Sequence, residues 1–203
     1  MPSTLENPFT PKSALPVKRL FGGEEESKRK LSNKERDRIE KFKIVKYGEL
    51  ELFGPQAEFL EKLEKYVLTG FKRHRRSNSS IEDAKNEILD RYHGHDRIET
   101  DGIGNIIEIR LNELDLIGVP KEIKNLKKLK WLELSGNRIE DLPELNDLKN
   151  LQFIRVDQNN LEVLPDIDRL KKLKKIFIWG NRLKEEEIMK IKKQIPKSCE
   201  ISE

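Results

Sequence analysis

Three asparagines recur at a fixed interval of 22 residues, and this period constrains the fold more than any other feature of the chain. Asn137, Asn159 and Asn181 each follow the same apolar frame. An earlier copy of the frame carries Leu114 in the asparagine position, 23 residues before Asn137. The pattern LxxLxLxxNxL therefore occurs four times in succession over residues 106–183. A period of this length indicates a stack of similar short units rather than one globular core.

The frame also predicts the structure of each unit. Each LxL segment is expected to form a short strand whose two apolar side chains enter a shared core. The asparagine that follows should turn inward, where its amide can bond backbone groups of the neighbouring coil. Pro120, Pro143 and Pro165 then mark the start of a short helical or irregular return segment. One such unit cannot bury its own apolar face, so the units are expected to stack.

This frame, with its LPxxI and LPxxL turns, resembles the leucine-rich-repeat family in the subgroup with 22–23-residue units. The resemblance covers about residues 103–203. It implies an α/β fold: a short solenoid in which a parallel sheet lines the concave side of a right-handed arc. It also implies protein–protein contact rather than catalysis. We accordingly assign the four leucine-rich repeats to residues 106–183.

The residues after the repeats are predicted to cover the open end of the core. In residues 184–203, Ile188, Ile191 and Ile195 stand at helical spacing, and Pro196 ends the helix. The sequence CEIS then predicts a last strand, so this segment forms a helix–strand C-terminal cap. Cys199 or Ile201 should turn inward there, which favours a structural role for the cysteine.

Residues 43–105 are predicted to form an N-terminal α/β cap. The stretch FKIVKYGELEL alternates well enough for one or two strands. A helix is expected from Gly54–Pro55 to Gly70, with Leu63 and Val67 on its apolar face. The order of strand, helix and linker is similar to that of uncharacterised archaeal leucine-rich-repeat proteins.

A second helix is predicted within this module. It begins at Ser79 or Ser80, and Ser79 with Glu82 has the spacing of a capping box. Its apolar face is expected to include Tyr92, and Gly94 should end it.

Composition limits the remaining possibilities. Residues 1–42 combine four prolines with a dense run of charges and are predicted to be a disordered tail. The formal charge of the whole chain is only +4, which does not by itself imply nucleic acid. The single cysteine excludes an internal disulfide framework and fits a reducing compartment. Without a signal peptide or an apolar stretch of membrane length, the chain is expected to be a cytoplasmic protein.

The repeat register predicts the side chains on the concave face. The first apolar residue of each unit, such as Leu129, is counted as position one. Positions three, five and seven then point away from the core, and they include both tryptophans of the chain. Exposed aromatics on one face favour a partner-binding surface, although neighbouring rings could simply shelter one another. Charges at position five could likewise form a solvated cross-strand pairing. The predicted partner-binding residues are Arg110, Trp131, Glu133, Phe153, Arg155, Asp157, Phe177 and Trp179.

These features predict a non-enzymatic module that binds a protein or peptide, and the resemblance to leucine-rich-repeat proteins implies an adaptor or regulator of signalling proteins. No catalytic motif, cofactor site or convincing metal-ligand set is found, because His93, His95 and Asp96 make a poor zinc site. No membrane partner is expected, and nucleic acid is disfavoured. The alternative is a nucleic-acid-associated protein that uses the basic cluster Lys72–Arg76 and the convex lysines. The identity of the partner and the oligomeric state stay open.

Overall fold

The repeats form one sheet in the computed structural model, which describes residues 43–73, 78–92 and 95–203. In spatial order its strands are β10, β9, β8, β7, β6 and β5. Every neighbouring pair from β6 to β10 is parallel, whereas β5 is antiparallel to β6. The mixed α/β composition and the parallel sheet confirm the predicted fold class at that level. The strands are β5 (Ile98–Thr100), β6 (Ile106–Arg110), β7 (Trp131–Glu133), β8 (Phe153–Arg155), β9 (Lys175–Phe177) and β10 (Glu200–Ser202).

The pairing register places equivalent residues of successive units side by side. Leu132 of β7 pairs with Ile154 of β8, which in turn pairs with Ile176 of β9. All three side chains are buried. Each apolar position therefore packs against its own equivalent in the next unit, and the core runs through the whole stack of repeats.

The asparagine amides join consecutive units. The side-chain oxygen of Asn137 accepts hydrogen bonds from the backbone N–H groups of Leu114 and Leu116, both at 3.0 Å. Its amide nitrogen donates to the carbonyl oxygens of Leu111 at 2.7 Å and Leu134 at 2.9 Å. Asn159 and Asn181 make equivalent bonds one and two units further on. Each amide thus satisfies backbone groups of two adjacent units that have no strand partner.

Among the residues that the structure describes, two helices and two short hairpins precede the repeats. Strands β1 (Ile44–Tyr47) and β2 (Leu50–Phe53) form an antiparallel pair that leads directly into α1 (Gly54–Arg73). Helix α2 spans Ile81–Leu89. The strands β3 (Arg91–Tyr92) and β4 (His95–Asp96) then pair antiparallel. Buried side chains of α1, among them Phe59 and Leu63, belong to the same apolar cluster as the repeats.

The predicted end of α1 at Gly70 is wrong, because the helix continues to Arg73. A Cβ atom at residue 70 would lie only 2.6 Å from the carbonyl oxygen of Asp115 in the first repeat. The glycine therefore allows close approach of the helix to the repeat rather than terminating the helix.

The predicted limits of α2 also need correction. Ser80, and not Ser79, caps the helix: its hydroxyl accepts from Asp83 N at 3.1 Å, and the Asp83 carboxylate accepts from Ser80 N at 2.6 Å. The helix ends at Leu89 rather than Gly94, and Tyr92 lies in β3. Ser79 and Ser80 each stand three residues before an acidic residue, so local spacing alone does not select the capping serine. The position of the helix start depends instead on burial of Ala84 and Ile88.

The return segments and the chain end complete the structure. A 3₁₀ helix, Lys121–Asn125, follows Pro120. After the last repeat, α3 spans Glu185–Gln194, and β10 adds to the edge of the sheet. Cys199 is half-buried, and this burial raises the pKa of its thiol to about 11. A thiol with a raised pKa is a poor nucleophile, which fits a structural cysteine.

Replacing one asparagine of the repeats should destabilise the chain far more than replacing its neighbour. Asn159→Ala leaves the Ile139 N–H without its side-chain acceptor, and it removes one of the two amide donors to each of the Leu134 and Val156 carbonyls. We expect a loss of about 2–4 kcal/mol in the free energy of unfolding, measured by urea titration. Asn160→Ala is the matched control, since that side chain makes no hydrogen bond within the described residues, and it should cost less than about 0.5 kcal/mol. Equal losses would contradict the proposed role of Asn159.

Candidate interaction face

The sheet presents one face away from the apolar core, and the register aligns its side chains in rows. Trp131, Phe153 and Lys175 pair in sequence across β7, β8 and β9. Glu133, Arg155 and Phe177 form the next row. Side chains within a row stand about 4.8 Å apart at the backbone, which lets neighbouring rings touch.

Three aromatic rings of this face contact one another in sequence, whereas Trp179 makes no ring contact with any described residue. The rings of Trp131 and Phe153 stack with centroids 3.8 Å apart and an interplanar angle of 9°. Phe153 and Phe177 follow at 5.4 Å in a tilted arrangement. We call Trp131, Phe153, Phe177 and Trp179 the aromatic cluster.

Two cations lie beside the aromatic cluster, and one of its rings is exposed. The Arg155 guanidinium lies 5.2 Å from the centroid of the Phe177 ring, and Lys175 Nζ lies 5.0 Å from the same centroid. Both distances suit a cation–π contact. Trp179 is 39 % exposed, the largest exposure in the cluster. The other three rings are half-buried by one another, so mutual sheltering accounts for part of this surface.

Glu133 belongs to this face but is largely covered by its neighbours. Its side chain is 8 % exposed. Its carboxylate accepts hydrogen bonds from Trp131 Nε1 and from Asn112 Nδ2, each at 2.8 Å. Asn112 Oδ1 accepts in turn from the backbone of Ser135 at 2.9 Å. Glu133, which the sequence predicted as a contact residue, thus holds the Trp131 ring through a hydrogen bond.

Asp157 is also covered, with 1 % of its surface exposed. Its carboxylate accepts a hydrogen bond from Arg155 Nε at 3.1 Å. Arg155 keeps 39 % of its side chain exposed, so the pair holds a cation in an accessible position. A partner could reach Arg155 directly, whereas Asp157 could act only through that arginine.

The alternating ion pairs expected between Arg110, Glu133 and Arg155 do not form. Arg110 pairs with Glu108 on its own strand and with Glu99 on β5, the latter at 3.4 Å. The antiparallel strand β5 was not foreseen from the sequence, because it lies outside the repeat period. It fills the edge of the sheet and leaves Arg110 only 15 % exposed at its side chain. The sheet thus brings two charged residues to this face, Lys175 and Glu99, that are not among the predicted partner-binding residues.

Burial perturbs one carboxyl at this end of the sheet. It raises the pKa of Glu108 to about 7, and the negative charges of Glu99 and Glu133 act in the same direction. The Arg110 charge opposes the shift but does not cancel it. Removal of the carboxylate from water therefore outweighs its ion pair.

Other sequence predictions fall partly outside the described residues. In the basic cluster Lys72–Arg76, residues 74–76 lie outside them, as does His93. Within the described ranges, no group of three or more His, Cys, Asp or Glu side chains is arranged to hold a metal ion. In the same ranges, no helix has the length and apolarity needed to cross a membrane.

Comparison with known proteins supports a leucine-rich-repeat protein. Residues 127–166 match the family model described as Leucine Rich repeats (2 copies). This stretch contains the strands and asparagines of the second and third units. Proteins of this type generally act as protein-interaction modules. No curated protein matches the chain.

Two solved structures are similar over part of the chain. A leucine-rich-repeat protein of Leptospira interrogans is 36 % identical over 47 % of this chain, with a TM-score of 0.43. The present chain spans only 24 % of the length of that protein. The BIR2 ectodomain from Arabidopsis thaliana is 20 % identical, with a TM-score of 0.40. The match covers 59 % of this chain and 68 % of the BIR2 chain. The resemblance to archaeal proteins stays a prediction.

The raised pKa of Glu108 predicts a specific dependence of stability on pH. The carboxyl has a pKa of about 7 in the folded chain and 4.5 in its unperturbed state, so folding favours the protonated form. Its stabilising effect is present below about pH 4.5 and is lost as the pH rises through about 7. Glu108→Gln should gain up to about 3 kcal/mol over the wild type at about pH 8, and little at about pH 4.

Urea titrations of both proteins across this pH range measure the difference. Glu113→Gln, at an exposed position, controls for the removal of one carboxylate. A difference between Glu108→Gln and the wild type that does not change with pH would show that the Glu108 carboxyl is not perturbed.

Proposed function

We propose that the chain is a non-enzymatic interaction module that binds a protein or peptide on the outer face of its sheet. The aromatic cluster is the observation that carries this proposal. Core packing does not require these rings, because the inward positions are already filled by residues such as Leu132, Ile154 and Ile176. Their place on an accessible face is typical of binding surfaces.

The cluster is suited to binding because its side chains are already ordered. The Trp131 ring is fixed by its stack on Phe153 and by its hydrogen bond to Glu133. A ring held in this way loses little conformational freedom when a partner packs against it. Trp179, two residues after Phe177, adds an exposed aromatic surface.

The accessible charges support a contact surface in the C-terminal part of the sheet. Arg155 is exposed beside the rings, and Lys175, also partly exposed, pairs with Glu200 at 3.0 Å. Arg110 and Glu133 are largely covered. We therefore propose direct contacts for the aromatic cluster and Arg155, and orienting roles for Asp157 and Glu133. Arg110 would support the sheet edge rather than the partner.

We further propose that the repeats form the concave wall of a short right-handed solenoid with a cap at each end. The elements at residues 43–105 extend the apolar core before the first repeat. At the other end, α3 buries Ile191, and β10 pairs with the last repeat strand. Repeat stacks need such terminal elements because their end units would otherwise expose apolar surface.

An adaptor or regulator of signalling proteins, acting in the cytoplasm without a cofactor, fits this proposal. The single cysteine supports a reducing compartment over an oxidising one. Within the described residues, the face offers rings, one accessible arginine and covered carboxylates. This arrangement suits recognition rather than bond cleavage.

Loss of the two tryptophans should abolish partner capture. We expect Trp131→Ala with Trp179→Ala to remove the specific partners recovered by affinity purification from native cells. Removing two central aromatic contacts should lower affinity at least about tenfold, and this can be measured once a partner is identified. Trp179→Ala alone tests the surface without disturbing the ring stack and should weaken binding in the same direction.

A matched control removes exposed apolar side chains elsewhere. Val163→Ala with Met189→Ala changes two residues that are 54 % and 53 % exposed and lie outside the aromatic cluster. This variant should recover the same partners as the wild type. If the tryptophan variants stay folded by circular dichroism and still recover those partners, the proposed surface is wrong.

A further inference from the structure

The return segments of the first three repeats gather positive charge that the rest of the chain does not share. Residues 124–130, 146–152 and 168–174, which we call the lysine ridge, contain nine basic and two acidic residues, a formal charge of +7. The whole chain carries +4, so all other residues together carry −3. The basic residues are Lys124, Lys127, Lys128, Lys130, Lys149, Arg169, Lys171, Lys172 and Lys174.

Hydrogen bonds stack the three segments directly on one another. Gln152 N donates to the carbonyl of Lys130, and Lys174 N donates to the carbonyl of Gln152, both at 2.8 Å. Further along, the Asn150 amide donates to the Lys127 carbonyl, and Lys172 Nζ donates to Asn150 Oδ1, again at 2.8 Å each. Equivalent residues therefore stand about 5 Å apart in one row. Cations that are 22 residues apart in sequence become neighbours.

Few acidic groups compensate this charge. Asp147 pairs with Lys127 at 2.9 Å, and the charges of Lys149 and Lys124 also lower the pKa of its carboxyl. Asp168 accepts a hydrogen bond from the Asn146 amide. Six exposed cations of the ridge make no ion pair with any described residue: Lys124, Lys128, Lys149, Arg169, Lys171 and Lys174.

The chemistry of the ridge favours one class of polyanion. All of its leucines are buried, so it offers no apolar anchor of the kind that protein interfaces use. It also contains no aromatic residue on which an unpaired base could stack. Lysine, arginine, asparagine and glutamine side chains are the usual contacts to phosphate oxygens.

We propose that the lysine ridge binds the phosphate backbone of a nucleic-acid duplex without reading its sequence. Binding of this kind releases counterions, so its affinity falls steeply with salt. The ridge contains none of the residues of the aromatic cluster, so this site and the proposed protein-binding face can be tested separately.

Fluorescence anisotropy with a labelled duplex DNA of about 20 bp tests the proposal on the full chain. With about five phosphate contacts, a rise from about 50 to 200 mM salt should weaken binding roughly 500-fold. The variant Lys128→Gln, Lys149→Gln, Lys171→Gln and Lys174→Gln should weaken binding at least about tenfold at about 50 mM salt. It should also reduce the salt slope by about 3 to 4, because each phosphate contact contributes about 0.9.

The control removes the same number of charges elsewhere. Lys46→Gln, Lys65→Gln, Lys184→Gln and Lys197→Gln neutralise four exposed lysines outside the ridge. Both variants have the same net charge, so a general electrostatic effect would weaken them equally. We expect the control to bind within about twofold of the wild type, and Trp131→Ala with Trp179→Ala to bind the duplex normally.

Several results would overturn the proposal. One is equal loss in the ridge and control variants. Another is loss of binding only on neutralising Arg73, Arg75 and Arg76. A third is undetectable duplex binding by the wild type at about 50 mM salt. Ridge-dependent binding of phosphatidylserine vesicles or polyglutamate in place of the duplex would assign the surface to a different partner. Circular dichroism confirms that each variant is folded before binding is measured.

Discussion

The hydrogen bonds of the asparagine amides are the interaction on which the rest of the structure depends. After each strand the backbone leaves the sheet, and its N–H and C=O groups lose the partners that strand pairing provides. Asn137 supplies partners for the Leu114 and Leu116 N–H groups of the preceding unit and for the Leu134 carbonyl of its own. Because one amide serves two units, neither unit is complete alone. The fixed spacing of these units then sets the register of every side chain on the sheet.

The outer face of the sheet shows how covered carboxylates can order an exposed surface. Glu133 and Asp157 each accept a hydrogen bond from a more accessible neighbour, Trp131 in the first case and Arg155 in the second. Their burial leaves little of either carboxylate exposed. It also strengthens the hydrogen bonds that they make, since less water competes for the same atoms. Folding therefore already orders Trp131 and Arg155, which would lower the cost of ordering them in the proposed interaction.

The two surfaces of the repeats differ because the same period acts on different residue types. On the sheet, positions three and five place rings and an arginine in adjacent rows. On the return segments, the period places lysines in adjacent rows, where like charges repel and only Asp147 and Asp168 offset them. Rings in rows gain from contact with one another, whereas lysines in rows are best stabilised by a polyanion. One repeat frame can thus support an apolar interaction face and a separate polyanion-binding ridge.

The sequence by itself determined the repeat unit, the strand positions and the side of the sheet to which each residue belongs. These follow from a period of 22 residues and from the alternation of side chains along a strand. Only the tertiary structure decided which face residues stay accessible: Glu133 and Asp157 are buried, and Asn112 of the preceding unit donates a hydrogen bond to Glu133. It likewise decided that α1 passes through Gly70, because the reason is the nearby carbonyl of Asp115. Strand β5 and its Glu99 lie outside the period, so no repeat pattern could predict them. Local sequence rules describe what a residue can do, and contacts between distant segments select among those options.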